Sequence, residues 1–256
     1  MKLEKIQINS FRNIKTLNLN VSPCLNLIAG PNGSGKTSLL EAIHFLSHGR
    51  SFRTTQLKHL IQKEAGQFQL LAQLKHARQT IKLGMQTGQD GFAENSRNGV
   101  RNFRVIDIVK HLPTLCLTPE SLTIRGAKSR IKALDWLVFY SQAGFAQTWT
   151  KIGRLLRQRN AALKSGASDQ VIFSLDQILV PLAEQVDSLR QRALAELAPH
   201  LDRALLVFLP DFKFTYQYSR GWSESESLSV ALQKSLPHDR RYGATSQGPT
   251  RADWVY

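Results

Sequence analysis

Gly30-Pro31-Asn32-Gly33-Ser34-Gly35-Lys36-Thr37 is the stretch that decides the fold of this chain. It fits G-x-x-x-x-G-K-[ST] at every specified position. The flanks also match what such a loop needs. The apolar run Leu25 to Ala29 ahead of it has strand length and predicts a buried strand, and Ser38 to Ser47 behind it sets Leu39, Leu40, Ile43 and Leu46 on one helical face. A glycine-rich loop between strand and helix lets backbone N–H groups and the positive helix end converge on a phosphate. Gly30 to Thr37 is therefore expected to hold a nucleoside triphosphate. Lys36 would bridge its β- and γ-phosphates, Thr37 would offer a hydroxyl to Mg²⁺, and Ser38 would bond the α-phosphate.

Upstream, Ile6 and Ile8, then Leu17, Leu19 and Val21, predict two strands joined around Phe11-Arg12-Asn13. Downstream, Phe68, Leu70, Ala72 and Leu74 alternate, as do Ile81, Leu83 and Met85, while Gly88 to Gly91 and Asn98-Gly99 carry turn chemistry. These predict a small antiparallel sheet. A strand near Leu115 to Leu117 is followed by Thr118-Pro119-Glu120, which reads as a helix start.

From there the period changes. Ile152, Leu155, Leu156 and Leu163, then Ile178, Leu182, Val186, Leu189 and Leu197, form stripes at helical spacing, with Ser165 to Ser168 as the turn between two antiparallel helices and Pro181 as a kink or an early position in the second. Leu205 to Leu209 before Pro210-Asp211 reads as a helix end rather than an acidic strand end. Phe212, Phe214, Tyr216 and Tyr218 return to strand alternation, and Ser223-x-x-Glu226 predicts a capping box for a short helix with Leu228 and Leu232 before Pro237. The domain reading is a phosphate-loop lobe over residues 1–118, a helical lobe over 119–208, and a return to the first lobe over 209–256.

Composition limits the class. The 256 residues are 42% hydrophobic, as in ordinary globular domains. Lys2, Glu4, Lys5 and Arg12 leave no apolar leader, and the uncharged run Trp136 to Thr150 is too short and too polar to span a bilayer. Cys24 and Cys116 sit in apolar settings outside any Cys-x-x-Cys pair, so reduced core cysteines in a cytoplasmic protein are expected. The net charge is +15, and Arg125 to Lys164 holds nine basic residues against Asp135 alone. Such a field attracts polyanions. Arg130, Lys132, Lys151, Arg154, Arg157 and Arg159 are the candidate nucleic-acid contacts, with Trp136, Phe139, Tyr140 and Trp149 as candidate base-stacking rings or as core.

Hydrolysis needs more than a phosphate loop, namely an acidic strand end for the metal and a group that orients water. No run of four apolar residues ending in Asp or Glu stands out, and Ser246-Gln247-Gly248 is a superficial match to an ABC signature. A small-molecule P-loop kinase is the competing reading from the loop alone, but no acceptor-binding arrangement accompanies it. A non-catalytic chain that binds without turnover is another.

Segments along the whole chain resemble the RecF family of bacterial recombination and repair proteins. Asn9-Ser-Phe11-Arg12-Asn13, the loop with Ser38 to Ala42, and His48-Gly-Arg-Ser-Phe-Arg-Thr54 match its opening; Leu134-Asp135-Trp136, Leu156-Arg-Gln-Arg-Asn-Ala-Ala-Leu163, Gly248-Pro249 and Ala252-Asp253 follow in family order. The resemblance implies an α/β, P-loop ABC-type ATPase head like that of SMC proteins, with a mixed sheet, an antiparallel β-subdomain and an inserted helical lobe. It also implies ATP and Mg²⁺ as ligands, with Arg12 and Asn13 beside the nucleotide and Asn32 at the phosphates. An ATP-dependent homodimer, binding to single-stranded or gapped DNA, other recombination mediators as partners, recombinase loading, replication restart and SOS induction complete what it implies. Departures are Ile131 in place of an arginine and Ala133 in place of a phenylalanine within Gly126 to Asp135, and Thr250 where the family has histidine. The chain stops at Tyr256, ahead of the family's signature and aspartate-rich strand, and a truncated product is the expectation.

Overall fold

The computed structural model describes residues 2–76, 79–89, 93–117 and 127–255. The chain divides into two compact units, Met1–Thr118 and Pro119–Tyr256.

The first unit is built on one antiparallel sheet of order β2-β1-β3-β4-β5, with β1 Lys2–Phe11, β2 Ile14–Asn20, β3 Gln67–His76, β4 Gln79–Gly88 and β5 Ala93–Arg97. Alternation decides its faces. Ile6, Ile8, Phe68, Leu70, Ala72, Leu74, Leu83 and Met85 are buried, while their neighbours Gln7, Asn9, Gln69, Gln73 and Gln86 form a polar opposite face. Helix α1, Lys36–His48, buries Leu39, Ala42, Phe45 and Leu46. Phe68 stands edge-on to both Phe11 and Phe45, with ring centroids 5.1 and 5.4 Å away, so the helix and the sheet share one aromatic core. Each such ring contributes roughly 2 kcal/mol by leaving water. The one-turn helix α2, Val105–Val109, follows, and Asn98-Gly99 makes the expected turn.

Three expectations fail in this unit. Leu25 to Ala29 is not a strand, and Leu25 and Leu27 are 82% and 90% exposed. A strand is stabilised by its neighbours, and none of the described strands pairs with this run; meanwhile Asn26 closes a local turn, accepting from Ser22 N and donating to Ser22 O. Leu115 and Leu117 are likewise exposed and outside any strand. Cys24 is exposed and Cys116 half-buried, so neither is a core residue. The helix start at Thr118-Pro119-Glu120 and part of the Gly88 to Gly91 turn lie outside the described residues.

The second unit is helical, with α3 Ala127–Ser141, α4 Phe145–Lys164, α5 Asp169–Phe208 and α6 Leu228–Tyr242, plus the two-stranded pair β6 Gln217–Ser219 and β7 Asp253–Val255. Contacts from Leu163 with Ile172, through Arg159 with Asp176, to Thr148 with Gln185 run antiparallel along α4 and α5, joined by Ser165 to Ser168. Ile152, Leu155, Leu156 and Leu163 are buried as their spacing predicts. On α5 Val186 and Leu189 are buried as expected, whereas the turns before them bury Leu179 and Ala183, each one position after the expected Ile178 and Leu182, and Ile178 is 56% exposed. Pro181 lies inside α5, where it donates no N–H to the carbonyl of Gln177.

Residues 209–256 were expected to rejoin the phosphate-loop lobe. Their buried side chains Trp222, Leu228, Ala231, Leu232, Ala252 and Trp254 belong instead to the core that holds Ile131, Leu134, Val138, Leu155 and Val186. Local bonds fix them there: Trp254 Nε1 donates to Arg130 O at 2.8 Å, and Arg130 pairs with Asp253. The strand expected from Phe212 is only Gln217–Ser219, because β7 supplies three partners, and Phe212 is exposed. The cap of α6 is Ser227, whose hydroxyl accepts from Val230 N at 3.3 Å, rather than Ser223. Among the described residues, no helix is long and apolar enough to cross a membrane.

Candidate phosphate-binding cleft

The loop Gly30 to Thr37 closes on α1, whose first residue is Lys36 and whose N-cap Gly35 sits at φ 97°, ψ 5°. Only glycine adopts that left-handed geometry without strain, and a β-carbon there would come within 3.4 Å of Ile14. Lys36 folds back over the loop, and its Nζ donates to the carbonyls of Gly30 and Pro31, both at 2.7 Å. An ammonium has three N–H groups, so one remains for an incoming oxygen.

The turn between β1 and β2 locks onto this loop. Asn13 Nδ2 donates to Gly33 O at 2.6 Å, and Asn13 Oδ1 accepts from Ser38 Oγ at 2.7 Å. The Ser38 proton is therefore used on Asn13, and Ser38, which is buried, braces the loop rather than pointing at an α-phosphate. Arg12 reaches α1: Nε and Nη2 donate to the two oxygens of Glu41 at 3.0 and 2.7 Å, and Nη1 donates to His59 O at 2.7 Å.

Together these segments enclose a cleft of about 750 Å³. Arg12, Asn13, Asn32 to Ser38, Arg53, His59, Ile61, Gln62 and Lys63 line it. Four of these carry fixed positive charge and none is acidic, so the cleft attracts a polyphosphate from several sides. Gly30, Pro31, Asn32, Gly33 and Ser34 are exposed, as is Thr37 in the first helical turn. Among the described residues no group of three or more metal-ligating side chains occurs. Sequence reading missed Glu41, Arg53, His59, Gln62 and Lys63. Glu41 was findable, because it sits among Ser38, Ala42 and Phe45 on the buried stripe of α1.

In the second unit the basic stretch divides. Lys132, Lys151, Arg154 and Arg157 are exposed. Arg159 is fully buried, donating through Nε to Asp176 at 2.7 Å and through Nη1 to Asp239 at 2.8 Å and Thr245 at 3.0 Å. It cannot contact DNA, because its charge is taken up by two aspartates in the core. Arg130 is mostly covered and held by Asp253 at 2.6 and 3.0 Å. Arg125 lies outside the described residues. Trp136, Phe139, Tyr140 and Trp149 are half-buried, and Phe139 and Trp149 pack on the helical core. Burial pushes the Tyr140 hydroxyl up to about 12.

Comparison with known proteins is consistent along the chain. The sequence profile of the RecF/RecN/SMC N terminal domain matches residues 2–142. "DNA replication and repair protein RecF" of Shigella flexneri serotype 5b is 36% identical over 255 residues, 99% of this chain and 71% of that protein. The protein of the same name from Erwinia tasmaniensis is 35% identical over 256 residues, with the same coverage. A solved structure of the recombination mediator protein RecF-ATP in the RecFOR pathway superposes with a TM-score of 0.88 at 26% identity, covering 99% of this chain and 72% of that one. A Smc head domain from Pyrococcus furiosus, solved with the C-terminal domain of ScpA, gives a TM-score of 0.51 at 15% identity over 86% of this chain and 67% of that one, a likeness of fold alone. The fold is that of the RecF/SMC ATPase head, α/β with an antiparallel sheet and a helical part, represented in part. With relatives aligned along nearly its whole length, the chain belongs to the RecF family of DNA replication and repair proteins.

Proposed function

We propose that this chain binds ATP in the cleft above and DNA through the exposed basic residues of its helical unit, as part of recombinational repair. The acid-free cleft around the Gly30 to Thr37 loop carries the nucleotide half of this reading. Loop N–H groups and Lys36 take the phosphates, and the RecF-ATP structure supports ATP as the nucleotide. Mg²⁺ fits through Thr37, with phosphate oxygens and water as its other ligands; bound there it would neutralise charge on the phosphates. Lys151, Arg154 and Arg157 recur every three residues along α4, with Lys132 on α3, and support contact with a phosphodiester backbone. Recombinase loading at gapped or single-stranded DNA, with other recombination mediators, is the role these activities fit. So is a part in replication restart and SOS induction.

Among the described residues no carboxylate lines the cleft to hold a metal and orient water, so the cationic side chains and loop amides there bind and orient phosphate, and His59 is the one lining side chain able to act as a base. That favours nucleotide binding without turnover by this chain alone. Equilibrium binding of labelled ATP is the test, with Lys36→Ala expected to abolish it at unchanged thermal stability. Equal binding by wild type and variant would overturn the assignment, and ATP hydrolysis lost in Lys36→Ala would remove the binding-only reading.

A further inference from the structure

Glu41 lies about one helical turn beyond the phosphate loop, and its side chain is 0% exposed. A buried carboxylate is tolerated only when its charge is met. Here Arg12 forms a two-pronged pair with it, Ser51 Oγ donates to Oε1, and Arg53 Nη1 stands 3.6 Å from Oε2. Both arginines line the cleft, and they come from separate segments, Arg12 from the β1–β2 turn and Arg53 from the loop after α1. One carboxylate is the shared counter-ion of two cations in a cleft that has no acidic lining.

The two arginines are held to different degrees. A guanidinium has five N–H groups, and Arg12 uses two on Glu41 and one on His59 O, which leaves two. Its backbone sits at φ 55°, a left-handed conformation that non-glycine residues keep only where the surroundings enforce it. Arg53 makes the longer contact and its side chain is 48% exposed.

We propose that Glu41 is a positioning residue which, acting through Arg12 and Arg53, makes the cleft prefer a nucleoside triphosphate to the diphosphate. The inference rests on the cleft being the nucleotide site. Loop N–H groups and Lys36 serve the phosphates common to both ligands. The third phosphate adds charge, and an oriented guanidinium fork matches its oxygens. Without Glu41 the two long side chains regain rotamer freedom, and ordering them again opposes binding. The opposite sign follows if only the field matters: deleting a negative charge would tighten every phosphate ligand, the triphosphate most.

The test is ATP and ADP binding by the 256-residue chain. In Glu41→Gln, ATP affinity should fall about tenfold and ADP affinity by less than about threefold, as for losing oriented charge-assisted hydrogen bonds. Glu41→Asp keeps the charge but is one methylene shorter, and should lose the same selectivity; it also serves if the Gln variant does not fold. Adding Glu41→Gln to an Arg12→Ala/Arg53→Ala chain should change neither affinity further. ATP affinity unchanged or raised in Glu41→Gln overturns the proposal, as does an equal drop without the arginines. In the ligand-free protein the Arg12 Nε–H should exchange slowly by NMR, and rapidly in Glu41→Gln; fast exchange in wild type removes the link itself. Wild-type protein that shows slow exchange yet binds no ATP brings down the nucleotide reading, and the selectivity falls with it.

Discussion

Arg159 and Asp239 meet 2.8 Å apart with both side chains fully buried, and Asp239 also accepts from the backbone and the hydroxyl of Ser246. Arg159 belongs to the Arg-Gln-Arg-Asn-Ala-Ala-Leu segment of α4, and Asn160 beside it accepts from Thr245 N and Oγ1. The segment therefore ties α4 to α5 through Asp176 and to the end of α6 through Asp239. Replacing Arg159 by Ala leaves two buried aspartates without their cation, a change that costs about 3–5 kcal/mol. Thermal unfolding should show a large loss of stability. Arg157→Ala, on the exposed face two residues away, should stay within about 0.5 kcal/mol of wild type. Equal stability of the two variants would contradict the buried network.

The segments that identify the family in the second unit meet one another in space. Arg190 donates to Asp135 at 2.7 and 2.9 Å and to Pro249 O at 2.7 Å, and Arg130 holds Asp253. The Leu-Asp-Trp and Gly-Pro segments are joined through an arginine that sequence reading did not single out. The signal was present. Arg159 falls on the stripe of Ile152, Leu155, Leu156 and Leu163, and Arg190 on that of Ala183, Val186 and Ala193, so helical periodicity marks both as core positions. Basic residues were counted as surface because long-range partners such as Asp239 do not appear in a local pattern. The phosphate loop was legible because its chemistry is contiguous, and the antiparallel sheet because alternation marks its buried face. Leu25 to Ala29 was misread because strand formation depends on a neighbour, which an apolar run does not specify.

Contact with DNA should show in salt dependence. Each phosphate neutralised contributes roughly 0.9 to the slope of log affinity against log salt for duplex and roughly 0.7 for single strands. Neutralising Lys151, Arg154 and Arg157 together should lower the slope by about two units on single strands and nearer three on duplex if all three contact the backbone. Fluorescence anisotropy titrations on gapped and single-stranded oligonucleotides across a salt series measure this. A triple variant with the wild-type slope would remove α4 from the DNA surface.

Gly35 offers a sharper probe of the loop than a charge deletion. Alanine at φ 97° costs about 1–2 kcal/mol in backbone strain. Its β-carbon would meet Ile14 at 3.4 Å, an ordinary contact, so the strain lies in the backbone of the loop itself. The loop should relax away from the phosphate-binding shape, weakening ATP binding by about fivefold to thirtyfold while Lys36 remains in place. Calorimetric titration of Gly35→Ala checks this, and wild-type affinity would mean that the loop tolerates another geometry.

The histidines of α1 set a pH limit on the first unit. His44 stacks on His48 with centroids 4.0 Å apart and meets the edge of Phe52. Burial, then the nearby His48 and Arg50, lower its pKa from 6.5 to about 4, and burial lowers that of His48 as well. The folded chain thus refuses a proton that the unfolded chain accepts between pH 6.5 and about 4. Stability is full above that window, falls as the pH drops through it, and levels off below. His44→Phe keeps an aromatic ring against Phe52 and cannot take up a proton, so its melting temperature should decline less than that of wild type over the same range. Carboxylates elsewhere titrate alike in both proteins and cancel in the difference. Parallel pH profiles for the two would show that His44 is as easily protonated in the folded chain as in the unfolded one.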